Sequence, residues 1–598
     1  MKKFLVRIFA VIGFILTISI GLGAFSTWYW IKNPSVSAPK APDNMVLDLD
    51  FTYPVVEQNR HMAFSLPALL MHEPEIPLLS IISAIDIAKT DPRVKGIVAN
   101  FGSLQPSLVH AQEIRAALQR FHESGKFTYA YASSYGDFGR GNRTYYLASM
   151  FENIWLQPVG AVGLTGLAIE APFGKSALEK IGVSTDFMRR EEYKSVMENI
   201  SRDEFSAPVR ANMSEMLKNL GEQQVNGIAE ARKIDLVKMR EIIANGPYTT
   251  NEAMKNGLVT HVGYQDEMLK EVEGKSGLNP VRVDVGAYLM FTPKANEPKA
   301  TIALINGLGM ITDAPSGPSA LGSDRFIDTD ALSQAIIDAS KDKDVKAILF
   351  RIDSPGGSPS ASETIRHALV VAKESKKPIF VSMGGVAASG GYWIAMNADH
   401  IVAQPGTLTG SIGVVAGKFV LGGLWDKLGV KWDGMTTSDN AHMWSALIPF
   451  TDQNRERVNA MLDDTYKTFI TNVSEARKIP LEKMGDVAKG RVWTGDQAVK
   501  VGLVDELGGL QTTVMALKKE LKLAPTDMVA LKPFPRPETP ADLVIRMLKN
   551  AGFESASLGN MFSTWRQIQT TLAPALEAIE DTGSVRAKLP SAYLNMVR

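Results

Sequence analysis

Cysteine is absent from this 598-residue chain, which excludes disulfides, thiolate metal sites and cysteine nucleophiles. Histidine, the usual general base of a serine nucleophile, is scarce at eight residues, and none of them sits in a telling motif. An excess of one charge is missing too. Lys+Arg and Asp+Glu stand at 64 each, so whole-chain electrostatics selects neither nucleic acid nor an acidic partner. What remains is a long chain, 45% hydrophobic and 21% charged, that has the apolar surface to fold and too many residues for one core.

Lys2, Lys3 and Arg7 precede an uncharged, mainly apolar stretch at 8–31 that Lys32 ends. It exceeds the roughly 20 residues that a hydrocarbon core requires, so a transmembrane anchor at 1–32 is expected. A cleaved signal, with small residues around Leu22-Gly-Ala24, is the alternative. The cationic flank sets the N-terminus in the cytoplasm and everything past residue 32 outside it. Pro34, Pro39 and Pro42 make 33–45 an extended tether.

Three blocks of sequence recur in the same order. Ser83 to Ile97 resembles the segment from Ser333 to Ile348, with Val94 matching Val345. Tyr145, Gln157-Pro158, Gly163 and Gly166 match Tyr392, Gln404-Pro405, Gly410 and Gly413 at constant spacing. The run from Tyr248 matches the run from Trp493. The chain therefore divides into a first copy at 46–290, a linker at 291–300, a second copy at 301–524 and a C-terminal extension at 525–598. The extension begins with four prolines and continues into amphipathic stretches expected to pack on the body or on a neighbouring subunit. Within a copy, β-branched runs such as 346–352 and 378–382 alternate with a 3.6-residue apolar period such as 361–373, the pattern of βαβ units in an α/β fold. Sites in such folds lie in loops at strand C-termini.

Two loops of the second copy carry candidate chemistry. Asp353-Ser-Pro-Gly-Gly follows one strand and leads to a helix start at Ser360-Ala-Ser-Glu363 with capping-box spacing. The N–H groups of Gly356 and Gly357 could donate to an oxyanion there, although a lone Gly-Gly pair is more often a plain turn. Gly384-Gly-Val-Ala-Ala-Ser389-Gly-Gly follows the next strand and offers Ser389 as a nucleophile among small residues, with the Gly390 N–H as a second oxyanion donor. Helix capping is the bland role for that serine. Repeat spacing aligns Ser389 with Asn142, Lys194 with Ala441, and the Gly-Gly pair with Gln105-Pro106, whose proline has no N–H. Each copy lacks what the other keeps. A duplicated enzyme with complementarily pruned half-sites explains this, with Lys194 of the first copy serving as base for Ser389 of the second.

The Ser389 segment, the Asp-Ser-Pro-Gly-Gly loop, Leu408-Thr-Gly-Ser-Ile-Gly413 and Tyr193-Lys-Ser195 together resemble the long-form signal peptide peptidase A (protease IV) family over nearly the whole chain. The resemblance implies a tandem ClpP/crotonase-like fold, a Ser/Lys dyad of Ser389 and Lys194, and Ser411 as a residue that positions the lysine. It also implies a bacterial inner-membrane homotetramer facing the periplasm, acting on peptide substrates such as hydrophobic signal peptide remnants, with no metal or other cofactor. The Val-Met-Glu-Asn-Ile run after Ser195 departs from the pattern and leaves local substrate contacts open.

Lysine is a base only when neutral, so its pKa must be lowered by burial or by cations. Arg189 and Arg190 would help, and Glu191 and Glu192 would oppose. Three rival readings remain. Acyl-CoA chemistry on a crotonase-like fold conflicts with export. A catalytically silent membrane scaffold predicts random decay rather than complementary loss. A Ser/His arrangement would use His442, next to Ala441.

Overall fold

The computed structural model describes residues 41–58, 75–137, 139–277, 280–292, 298–313 and 326–536. The 8–31 stretch, most of the tether and the extension from 537 onward, with its amphipathic stretches, lie outside these residues. Among the described residues, no helix is long and apolar enough to cross a membrane.

The duplicated sequence folds as a duplicated sheet. In the first copy the strand order is His261–Val262, Asn153–Leu156, Phe127–Ala132, Val94–Phe101, Met45–Phe51 and Val281–Asp284, parallel throughout. The second repeats it with Glu506–Leu507, His400–Ala403, Ile379–Ala388, Val345–Ser354, Ala300–Leu308 and Val529–Phe534. Leu408–Gly410 and Val492–Thr494 extend this second sheet beside the end of Ile379–Ala388. Its last edge strand, Val529–Phe534, lies past the boundary expected at 524, so the extension begins inside the second domain's sheet. Pro533 is tolerated there because an edge strand has one row of N–H groups with no ladder to join.

Central strands such as Val345–Ser354 are buried from Ala347 to Ile352, as a parallel strand covered on both faces requires. The following helix, Pro359–Lys373, buries Ala361, Ile365, Ala368, Leu369 and Ala372 along one stripe. Its cap is Ser358, whose side chain accepts from the Ala361 N–H, and not Ser360. Pro359 has no N–H to satisfy and fits the first helical position, which draws the start upstream. Glu363 instead pairs with Arg366 and accepts from Trp393 Nε1 at 2.8 Å.

Both copies also keep the same lysine clamp. Lys126 Nζ donates to the carbonyls of Ala88 and Asp91, each at 2.6 Å, and Lys377 Nζ to those of Ala339 and Asp342 at 3.2 and 2.6 Å. A cation there satisfies carbonyls left open at a helix C-terminus.

The copies are joined by a strand pair that belongs to neither sheet. Ser184–Arg190 of the first runs antiparallel to Val414–Val420 of the second, with Arg190 opposite Val414. The chain leaving Arg190 is thereby delivered to the C-terminal end of the second sheet.

Candidate active site

Ser389 stands at the turn between the strand Ile379–Ala388 and the short helix Gly390–Trp393. Its backbone holds φ 56° and ψ −120°, a conformation that costs a non-glycine residue roughly 1–3 kcal/mol and that persists where surroundings over-determine it. One constraint is the Ser389 N–H, which donates to the Gly410 carbonyl at 2.9 Å. Another is the Asp353-to-Gly357 loop, packed against the turn so closely that a Cβ on Gly356 would lie 2.6 Å from Gly390 N and 2.9 Å from Ser389 Cβ. The Gly356 N–H is taken by Ser354 Oγ at 3.2 Å. Among the described residues, the N–H groups of Gly357 and Gly390 make no hydrogen bond.

Lys194 follows the strand that crosses between the copies and is 2% exposed. Its Nζ lies 3.0 Å from Ser389 Oγ, 2.8 Å from the Ser411 carbonyl oxygen and 3.1 Å from Ser411 Oγ. Burial alone pushes its pKa down from 10.5 to about 7. Three of the four nearby charges left open by the sequence have partners of their own. Arg189 pairs with Glu198, Arg190 with Asp463 at 2.6 Å, and Glu192 with Lys489 at 3.3 Å. The lysine backbone is held by Gly490, where a Cβ would come within 2.5 Å of Lys194 N, and by the Tyr193 N–H donated to the Lys489 carbonyl at 3.1 Å. Gly490 was not singled out from the sequence. Its signal was the aligned Asn245 of the first copy, where no lysine has to approach.

A family model described as peptidase family S49 matches residues 120–279 and 371–524, one segment in each copy. Protease 4 of Salmonella typhi is 34% identical over 534 residues, covering 85% of this chain and 83% of its own. Protease 4 of Haemophilus influenzae is 32% identical over 74% of this chain and 72% of its own. A chloroplastic serine protease SPPA of Arabidopsis thaliana is 29% identical over 84% and 72%. The chain belongs to peptidase family S49.

In this S49 serine peptidase the corresponding corner of the first copy is closed. Asn142, buried at the position of Ser389, accepts from the N–H groups of Thr165 and Gly166 at 3.0 and 3.1 Å and donates to the Gly166 carbonyl at 2.8 Å. Gln105 donates to the Arg140 carbonyl, and Ala441, aligned with Lys194, is exposed. The histidines hold other places. His442 is exposed, and among the described residues no hydrogen bond links it to Ser389. His400 faces Glu506 at 3.0 Å, and His367 lies on an exposed helix face.

Proposed function

We propose that this S49 peptidase hydrolyses peptide bonds through a dyad of Ser389 and Lys194 divided between its two copies. The reading rests on one observation, the 3.0 Å approach of a buried, charge-isolated lysine amine to a serine hydroxyl held in a strained turn. A neutral amine has two N–H groups and one lone pair. With the N–H groups donated to Ser411 O and Oγ, the lone pair is left for the Ser389 hydroxyl proton. Ser411 is thus a positioning residue. As Ser389 Oγ attacks the substrate carbonyl, Lys194 takes its proton, and the oxyanion is held by the N–H groups of Gly357 and Gly390. The lysinium then protonates the leaving amine, and water releases the acyl-enzyme by the same route. Gly356 serves the site through close packing, its N–H being spent on Ser354.

The substrate and setting in this proposal follow from the family resemblance and the N-terminal sequence. The enzyme is a homotetramer in a bacterial inner membrane, anchored by residues 8–31 with its body in the periplasm, and degrades hydrophobic remnants of cleaved signal peptides. The deciding experiment is turnover of a hydrophobic peptide ester by the full chain, comparing wild type with Ser389→Ala and Lys194→Ala. Loss of about 10⁴-fold or more in both, with folding intact, is expected. Near-normal rates for Lys194→Ala would move the base elsewhere, with His442→Ala the next variant to measure.

A further inference from the structure

Behind the nucleophile the ladder between Val345–Ser354 and Ile379–Ala388 is broken. Ile352 pairs with Met383, but Ser354 pairs with Ala387, so Asp353 alone faces the three residues Gly384, Gly385 and Val386. A bulge of this kind leaves backbone N–H groups without a strand partner. Asp353 supplies one, its Oδ1 accepting from the Val386 N–H at 2.9 Å. Val386 is three residues before Ser389, and Asp353 is four before Gly357, so this single contact ties the two strand ends that make up the site.

The carboxylate is backed by a cluster that reaches across the copies. Arg351, on the same strand two residues earlier and 2% exposed, spends all its donors in place. They go to Glu57 at 2.7 and 2.9 Å, to Glu113 at 2.7 Å, to Ser382 Oγ at 2.9 Å and to the Met383 carbonyl at 3.2 Å. His110 Nε2 lies 3.0 Å from Glu57. Glu57, His110 and Glu113 belong to the first copy. Gly384 completes the packing, since a Cβ there would lie 2.9 Å from Asp353 Cβ and 3.0 Å from Glu57 Oε1. Burial, and then the Glu57 charge, push the Asp353 pKa up. The first copy, whose own site is closed, has Gly102 where the second has Asp353 and Asn100 where it has Arg351.

We propose that Asp353 is a positioning residue for the nucleophile, acting as the hydrogen-bond acceptor that fixes the Gly384–Val386 bulge and, through it, the Ser389 turn. The proposal rests on Ser389 being the nucleophile. In the full chain assayed with a peptide ester, Asp353→Ala is expected to lower kcat about 100-fold with KM within threefold, because small displacements of a reacting group cost that much. Asp353→Asn keeps an oxygen for the Val386 N–H and is expected to stay within tenfold of wild type. A structural charge role would make Asn as damaging as Ala; that result, or a wild-type kcat in the Ala variant, overturns the proposal. If Asp353→Ala does not fold, the near-isosteric Asn variant decides alone, a folded protein with a 100-fold lower kcat being the overturning result. Ser389→Ala is measured alongside. Activity in that variant would sink the nucleophile assignment itself, whereas an inactive Ser389→Ala beside an unimpaired Asp353→Ala sinks only this proposal.

Discussion

The two copies share a sheet order, a lysine clamp and a buried tyrosine at Tyr145 and Tyr392, and they part company at the C-terminal ends of their central strands. In the second copy the loops there are left unfinished, with a serine at positive φ, two N–H groups that have no partner among the described residues and a lysine drawn in from outside. In the first the same region is finished. Asn142 satisfies three backbone groups at once, and unlike Ser389 it does not hold a positive φ. The difference teaches that an active site is legible as unsatisfied hydrogen-bonding capacity held in place at a cost, and that its loss is legible as that capacity being filled.

That contrast can be broken by moving first-copy chemistry into the second. The largest expected effect is at Arg351, aligned with Asn100. Arg351→Asn installs the residue of Asn100, takes the guanidinium away from buried Glu57 and Glu113, and should cost about 3–5 kcal/mol in denaturant unfolding. Next is Gly490→Asn, which installs the residue of Asn245. Asparagine accepts the positive φ of 80°, but its Cβ pushes against the Lys194 backbone, so kcat should fall about 100-fold with modest change in KM.

The pH profile sharpens the same comparison, because under the proposed dyad only the second site depends on a neutral lysine. With the pKa of Lys194 lowered to about 7, the protonated form prevails below that pH and the active neutral form above it. The pH dependence of kcat/KM should therefore rise about tenfold per unit up to pH 7 and level off above it. A flat profile from pH 6 to 9, with chemistry rate-limiting, would count against the lysine. The smallest effect is expected in the closed copy. Asn142→Ala gives up the bonds to Thr165 and Gly166, costing about 1–3 kcal/mol of stability while leaving turnover within twofold of wild type.

Much of this was open to reading in advance. The strands around 346–352 and 378–382 and the helix at 361–373 announce themselves by period, and the duplication by three collinear blocks. Lys194 is marked in the sequence by the Tyr193-Lys-Ser195 resemblance and by the repeat spacing that puts Ala441 in its place. What stayed hidden depends on contacts distant in sequence. Nothing in 184–190 or 414–420 marks them as partners across the copies, and Asp353 is only the first residue of a glycine-bearing loop until Val386 is placed beside it. Val529–Phe534 was missed because Pro533 and Pro535 look like a chain leaving its fold. The cap at Ser358 was missed because Ser360 fits the capping-box spacing better than the proline that sets the start.

The antiparallel pair between Ser184–Arg190 and Val414–Val420 also sets a schedule for synthesis. A chain emerging from the ribosome carries Lys194 long before the strand Val414–Val420 that pairs with the segment leading to it. Ser389 arrives some two hundred residues later, and Gly490, which seats the lysine, later still. Under the proposed dyad, a half-made chain is a harmless protein, and the ability to cut appears only when almost all of the body has been translated and folded.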